Sequence, residues 1–356
     1  MEYLSARLPV LDLALHAVGA FQGGGELDPA RVAASFTGDR MLRIDGESVS
    51  GFAELSGFFE AADGWVRTHA NYPHHRRRLL AVLGLDDGDR ATVADRIRHL
   101  GAADLEDRAA EADAIVVRVR TESEWAASEP GIAAAAGPLV TVAERADTGP
   151  ANGFRVLDFT RVIAGPTATR ALALVGAEVL RIDPPQLPEI AWQHLENGQG
   201  KRSALLDLRT DLARARELAA RADVIVSGYR PGALEAFGIA PAPGAIHARV
   251  SAWGTTGPWG DRRGFDSIVQ AASGISLIEG SGAGAGQVGA LPAQALDHAT
   301  VTCSPRRSST REPPGIVTGA AATSPHRSRG PLRGCSPRPA GGRPLRHRRH
   351  RARKPR

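Results

Sequence analysis

The most regular pattern in the chain lies between residues 153 and 300, where short apolar runs alternate with stretches of helical period. Runs over 154–159, 178–182, 203–208, 223–227 and 247–252 read as strands. Between them, 166–175, 211–221 and 232–237 carry helix-like spacing, with Pro166 suited to a first helical position. Strands separated by helices of this length form βαβ units and predict a parallel sheet with helices on its faces. Ligands bind such sheets beyond the carboxyl ends of the strands, which directs attention to loops 160–166, 183–186, 228–232 and 253–260. Residues 1–150 mix helix-like stretches at 91–99 and 103–112 with short strand candidates at 43–45, 64–68 and 114–119. They end in a small-residue connector near 147–152.

Residues 301–356 show neither period. They hold 14 Arg and Lys354 against a single acid, Glu312, so the net charge of +5 averages a strongly basic tail with an acidic body. Such a composition cannot bury a core, and the abrupt change after Thr300 reads as a basic disordered or frameshifted tail rather than a nucleic-acid arm. Both cysteines, Cys303 and Cys335, lie in that tail. The body is therefore without thiols, which excludes disulfides, Cys-ligated metal and cysteine catalysis there. No apolar run reaches the length of a membrane span, and Glu2 stands where a leader would carry positive charge. A cytoplasmic chain with no membrane partner is expected.

Several loops carry chemistry. Loop 160–166 follows a strand and opens a helix, and Asp183 ends the next strand, as in a dinucleotide site. Only Gly165 of the required glycine pattern is present, which argues against a nicotinamide enzyme. Lys201, the one lysine of the body, and Arg202 precede a strand, where they suit either a phosphate or a solvated turn. At 227–232, Tyr229 could stack on a flat ring and Arg230 could take a phosphate, or the segment is a plain turn. The run 74–78, His-His-Arg-Arg-Arg, lacks partners at metal-ligand spacing and reads as a basic helix start. Asp297 follows the glycine-rich run 280–289 and alone would read as a surface acid; neighbouring His298 points elsewhere.

Six pieces in fixed order carry a resemblance. They are the segment 155–166 (RVLDFTRVIAGP), 176–183 (GAEVLRID), and 200–203 (GKRS) with 206–208 (LDL). Then follow 222–234 (ADVIVSGYRPGAL), 254–258 (GTTGP) and 264–274 (GFDSIVQAASG). Together they resemble the family III CoA-transferases, a group that includes formyl-CoA transferase, carnitine CoA-transferase and alpha-methylacyl-CoA racemase. The resemblance implies an α/β fold, a Rossmann-like parallel sheet domain with helices on both faces plus a smaller α+β domain. It places the first, CoA-binding half at 151–300, with Asp297 as catalytic nucleophile. It assigns Val162, Ala164, Lys201, Arg202, Tyr229 and Arg230 to coenzyme A. No cofactor is held permanently; acyl-CoA and a carboxylic acid are the substrates, exchanged through an aspartyl-CoA intermediate. The family works as an interlocked homodimer.

Its racemase branch needs a histidine where Phe265 stands, so transfer is preferred over an acyl-CoA isomerase. Gly228 and Ala236 depart from the residues usual at those places. Pieces of 1–150, at 63–67, 74–85 and 122–125, resemble the family's later half and small domain, here preceding the first half. A truncated, non-catalytic CoA-binding remnant is the competing expectation.

Overall fold

The computed structural model describes residues 3–144, 154–280, 287–303 and the strand at 315–320. The connector at 147–152, most of the glycine-rich run and Cys335 lie outside the described residues.

Helix α1 (Val10–Gln22) presents Val10, Ala14, Ala17 and Phe21 along one face and ends at Gly23, whose φ of 78° supplies the left-handed C-cap. Helix α2 (Pro29–Phe36) starts with proline at its first position, under an Asp28 side chain that accepts the Ala30 N–H. A compact α+β unit follows. Strands β1 (Phe58–Ala61), β2 (Gly64–Thr68) and β3 (Val116–Arg118) form an antiparallel sheet. Helices α3 (Pro73–Leu83), α4 (Arg90–Arg98) and α5 (Ala102–Glu111) cover it. Val66, Leu79, Leu83, Val93, Ile97 and Leu105 form its core.

The main sheet takes β4 (Val140–Glu144), β5 (Arg155–Phe159), β6 (Glu178–Asp183), β7 (Arg202–Leu205), β8 (Val224–Ser227), β9 (Ile246–Ser251) and β10 (Gly315–Ala320). Their order is β4-β10-β9-β8-β5-β6-β7, with β4 antiparallel to β10 and every other pair parallel. The expected βαβ alternation is there, with helices α6 (Ala164–Leu174) and α7 (Leu212–Arg221) among its crossovers. The two faces follow the strand alternation. Val156, Val224 and Val226 point to one side, and Leu157 and Ile225 to the other, with Ala215 and Ala219 of α7.

Three findings differ from the sequence reading. The tail, expected to lack structure throughout, contributes β10; its uncharged Ile316-Val317-Thr318 run has the β-branched residues that suit a strand. Pro166 is the third residue of α6, not the first, which its missing N–H allows because first-turn N–H groups have no helical partner. Residue 150 does not separate two cores either. Helix α1 packs its apolar face on Val156, Val224 and Val226 of the main sheet. A third core of Trp125, Trp253, Trp259 and Ile268 joins the two regions again.

Candidate active site

Strand β5 delivers the chain into the loop expected to bind. Val162 adopts φ 70°, a backbone region that costs a β-branched residue strain. The loop is held there by its surroundings: the Val162 N–H donates to Glu189 at 2.9 Å and its carbonyl accepts from Asn197 at 3.1 Å. Gly165 is required by close approach, since a Cβ there would lie 2.3 Å from the Thr160 side chain. The Ala164 carbonyl accepts the Thr300 hydroxyl at 2.7 Å, tying this loop to the segment just after Asp297.

Asp297 sits in the one-turn helix α9 (Ala295–His298), buried at the edge of a cleft. Asp266, at the start of helix α8 (Asp266–Ala272), positions it. One oxygen of the Asp266 carboxylate accepts the backbone N–H groups of Leu296 at 2.8 Å and Asp297 at 3.1 Å, and the other accepts from Gln270. Burial pushes the Asp266 carboxyl up to about 6. Burial, then repulsion from Asp266, pushes Asp297 well above the ordinary carboxylate range. His298, next in sequence, faces the other way against the Phe36 ring, 5.3 Å between centroids, and burial pushes it down to about 4.

The lining of the cleft includes Val162, Ile163, Trp192, Gln193, Phe265, Ser267, Gln294 and Asp297. The opposite wall comes from the N-terminal region: Asp39, Gly51, Phe52, His69 and Asn71. The His69 ring stacks on Phe265, 3.6 Å between centroids and 10° from parallel. Burial, with His75 and Arg67 nearby, holds His69 well below its usual value, so it is neutral at pH 7.

The expected CoA ligands separate. Val162 lines the cleft with Asp297, and Ala164 follows it. Lys201 points inward: its side chain is 1 % exposed, and its ammonium donates to the Pro166 carbonyl at 2.8 Å, Thr169 at 2.6 Å and buried Asp158 at 3.2 Å. Three donations use all its protons, so the structure gives Lys201 a place in the interior, with none left for a phosphate. Arg202 is 75 % exposed on the outer strand β7, 3.6 Å from Glu178. Tyr229 and Arg230 stand in the exposed loop after β8. Arg230 donates to Asp113 at 2.7 Å, where Arg78 and Arg263 approach the same carboxylate at 3.7 and 3.8 Å. The Arg230 hydrogen bond leads the effects that hold Asp113 below the usual range.

Of the lining residues sequence reasoning did not single out, Ser267 falls inside the quoted motif 264–274, whereas Asp39, His69 and Asn71 carry no local signal. Among the described residues no cluster of three or more His, Cys, Asp or Glu could hold a metal, and no helix is long and apolar enough to cross a membrane.

A parallel-sheet domain with a buried, backbone-positioned aspartate beside the strained first loop defines an α/β domain with a carboxylate-centred cleft. Residues 151–303, less than half of the chain, match CoA-transferase family III. A probable fatty acyl-CoA transferase, Rv3272 of Mycobacterium tuberculosis, is 37% identical over 172 residues, which are 42% of this chain and 43% of that protein. The alpha subunit of succinyl-CoA–L-malate CoA-transferase of Chloroflexus aurantiacus is 33% identical over 169 residues, 41% of this chain and 39% of the relative. A crystal structure of Rv3272 aligns with 36% identity over 44% of this chain and 48% of that one, with a TM-score of 0.36. The matched part spans less than half the length of these curated relatives.

Proposed function

We propose that the chain transfers coenzyme A from an acyl-CoA thioester to a carboxylic acid through an aspartyl-CoA intermediate on Asp297. The observation that carries this is the placement of the Asp297 carboxyl in the cleft, buried, with its backbone N–H fixed by Asp266. A carboxylate whose proton affinity is raised is a better nucleophile once ionised. One oxygen of ionised Asp297 attacks the thioester carbonyl; the carbon–sulfur bond breaks, leaving an aspartyl–acyl anhydride and CoA thiolate. The thiolate attacks the Asp297 carbonyl carbon, expelling the donor acid as its carboxylate and leaving an aspartyl thioester. An acceptor carboxylate reverses both steps. No water enters, so the thioester is conserved.

Tyr229 and Arg230 are the candidates for CoA's adenine and phosphates. Three arginines around the single Asp113 leave excess positive charge for an anionic ligand. Phe265 offers no proton-transfer group, but neutral His69 lies flat against it, which favours a second reading, α-proton exchange on the acyl group.

The test is mass spectrometry after incubation with acyl-CoAs in deuterated buffer, with hydroxylamine or borohydride trapping. An adduct on Asp297 that is absent from Asp297→Ala supports transfer. Deuterium at the α-carbon without an adduct supports the second reading. Full transfer by Asp297→Ala refutes the mechanism.

A further inference from the structure

Three side chains on the cleft wall are left with unused polar atoms. Among the described residues His69 Nδ1, Gln193 Oε1 and Ser267 Oγ have no hydrogen-bond partner, and the residues are only 4 %, 2 % and 4 % exposed. They come from three separate places: the segment after β2, the helix Ala191–Asn197 and helix α8. Buried polar groups are normally paired, because an unpaired one gives up its water without gaining a partner. Asn71, on the same wall, shows the ordinary outcome: its carbonyl accepts from Ala53 and Ser56, and its amide donates to Gly51. Three unpaired groups around one aspartate are what a polar ligand would satisfy.

Charge narrows the ligand further. Among the described residues the lining holds two carboxylates, Asp39 and Asp297, and neither lysine nor arginine. The cation packed behind it, Arg67, is buried between the rings of Phe52 and Phe58, 4.8 and 4.9 Å from their centroids. A second carboxylate on the acyl group would therefore enter without a counter-ion. A plain alkyl chain would leave all three polar atoms unpaired. A hydroxyl can donate to Gln193 Oε1 and accept from Ser267 while the rest of a short chain lies against Phe52 and Phe265.

We propose that the cleft selects a short, uncharged acyl group bearing a hydroxyl, recognised by Gln193 and Ser267 with neutral His69 as the third polar wall. This rests on the CoA-transfer reading of the same cleft. The probes are 3-hydroxybutyryl-CoA, butyryl-CoA, succinyl-CoA and CoA itself, titrated calorimetrically into the full chain carrying Asp297→Asn, which blocks turnover. Removing that carboxylate biases the comparison toward succinyl-CoA, against the proposal. The expected result is binding of the hydroxyacyl thioester about tenfold tighter than either alternative. Adding Ser267→Ala or Gln193→Leu should collapse that preference while leaving butyryl-CoA affinity unchanged or improved, a pattern that misfolding would not give. CoA binding without discrimination, or tightest binding of succinyl-CoA, overturns this inference alone. No binding of CoA or any thioester overturns the CoA-transfer reading and this inference with it.

Discussion

Replacing Asp297 by Asn should make the protein more stable at neutral and alkaline pH, and the gain should vanish in acid. The two carboxylates of the cleft are unequal. Asp266 accepts two backbone N–H groups and the Gln270 amide, whereas only burial and the Asp266 charge shift Asp297. Moving even the better-supported Asp266 carboxyl from 3.8 to about 6 costs its ionised form about 3 kcal/mol. Asp297 is pushed further in the same direction. Both values are raised on folding, so the folded chain holds protons that the unfolded chain has released above about pH 4. Stability accordingly falls as pH rises from about 4 through the folded values, and is fully present only below the unfolded ones. Asn removes the buried charge and relieves Asp266 at nearly constant volume. A gain on the order of 3 kcal/mol corresponds to a Tm increase of roughly 4 °C at pH 8 for a chain of this size. Circular-dichroism melts of both proteins at pH 4, 6 and 8 would measure it. An increase as large at pH 4 as at pH 8 would show that shape, not charge, is responsible; no increase at pH 8 would refute the burial argument outright.

Two other perturbations separate structural from binding roles. Lys201→Met should leave the buried Asp158 carboxylate without its ion-pair partner, lowering stability by about 3–5 kcal/mol in urea unfolding; weaker CoA binding at unchanged stability would return Lys201 to the ligand. Glu106→Ala should cost about 3 kcal/mol by stranding the Arg120 guanidinium, whose Nη1 lies 2.8 Å from Glu106 in the interior. A loss below about 1 kcal/mol would mean that water or Arg262, 4.0 Å from Glu106, replaces the lost contact.

The sheet was legible because its central strands, β5, β6 and β8, are largely buried and so read as apolar runs punctuated by helices. Their ends fell within a few residues of the observed ones. The site was legible only in part, since its decisive relations are long-range. Asp297 has the local sequence of a surface acid, and its burial and orientation come from Asp266, 31 residues earlier. Lys201 drew attention as the single lysine of an arginine-rich body, yet the carboxylate that occupies it lies 43 residues away on β5. His69 and Asn71 sit in a stretch with neither periodicity nor motif. Only the folding of β2 against β3 and α8 brings them to the cleft.

Chain order bears on how the cleft closes. Residues 1–150 pack against the matched segment within a single chain. Tyr72 donates to Glu189, Arg120 N–H to the Ala271 carbonyl at 3.1 Å, and Arg230 to Asp113 at 2.7 Å. Each bond joins the N-terminal region to the matched segment, and they meet it at three different places: the loop after β6, α8, and the loop after β8. Helix α1 adds an apolar seam against the sheet. Polar bonds at the rim with apolar burial beneath are what hold two packed surfaces in fixed register. One copy of the chain thus supplies both walls of the cleft, with Asp297 on one and His69 on the other.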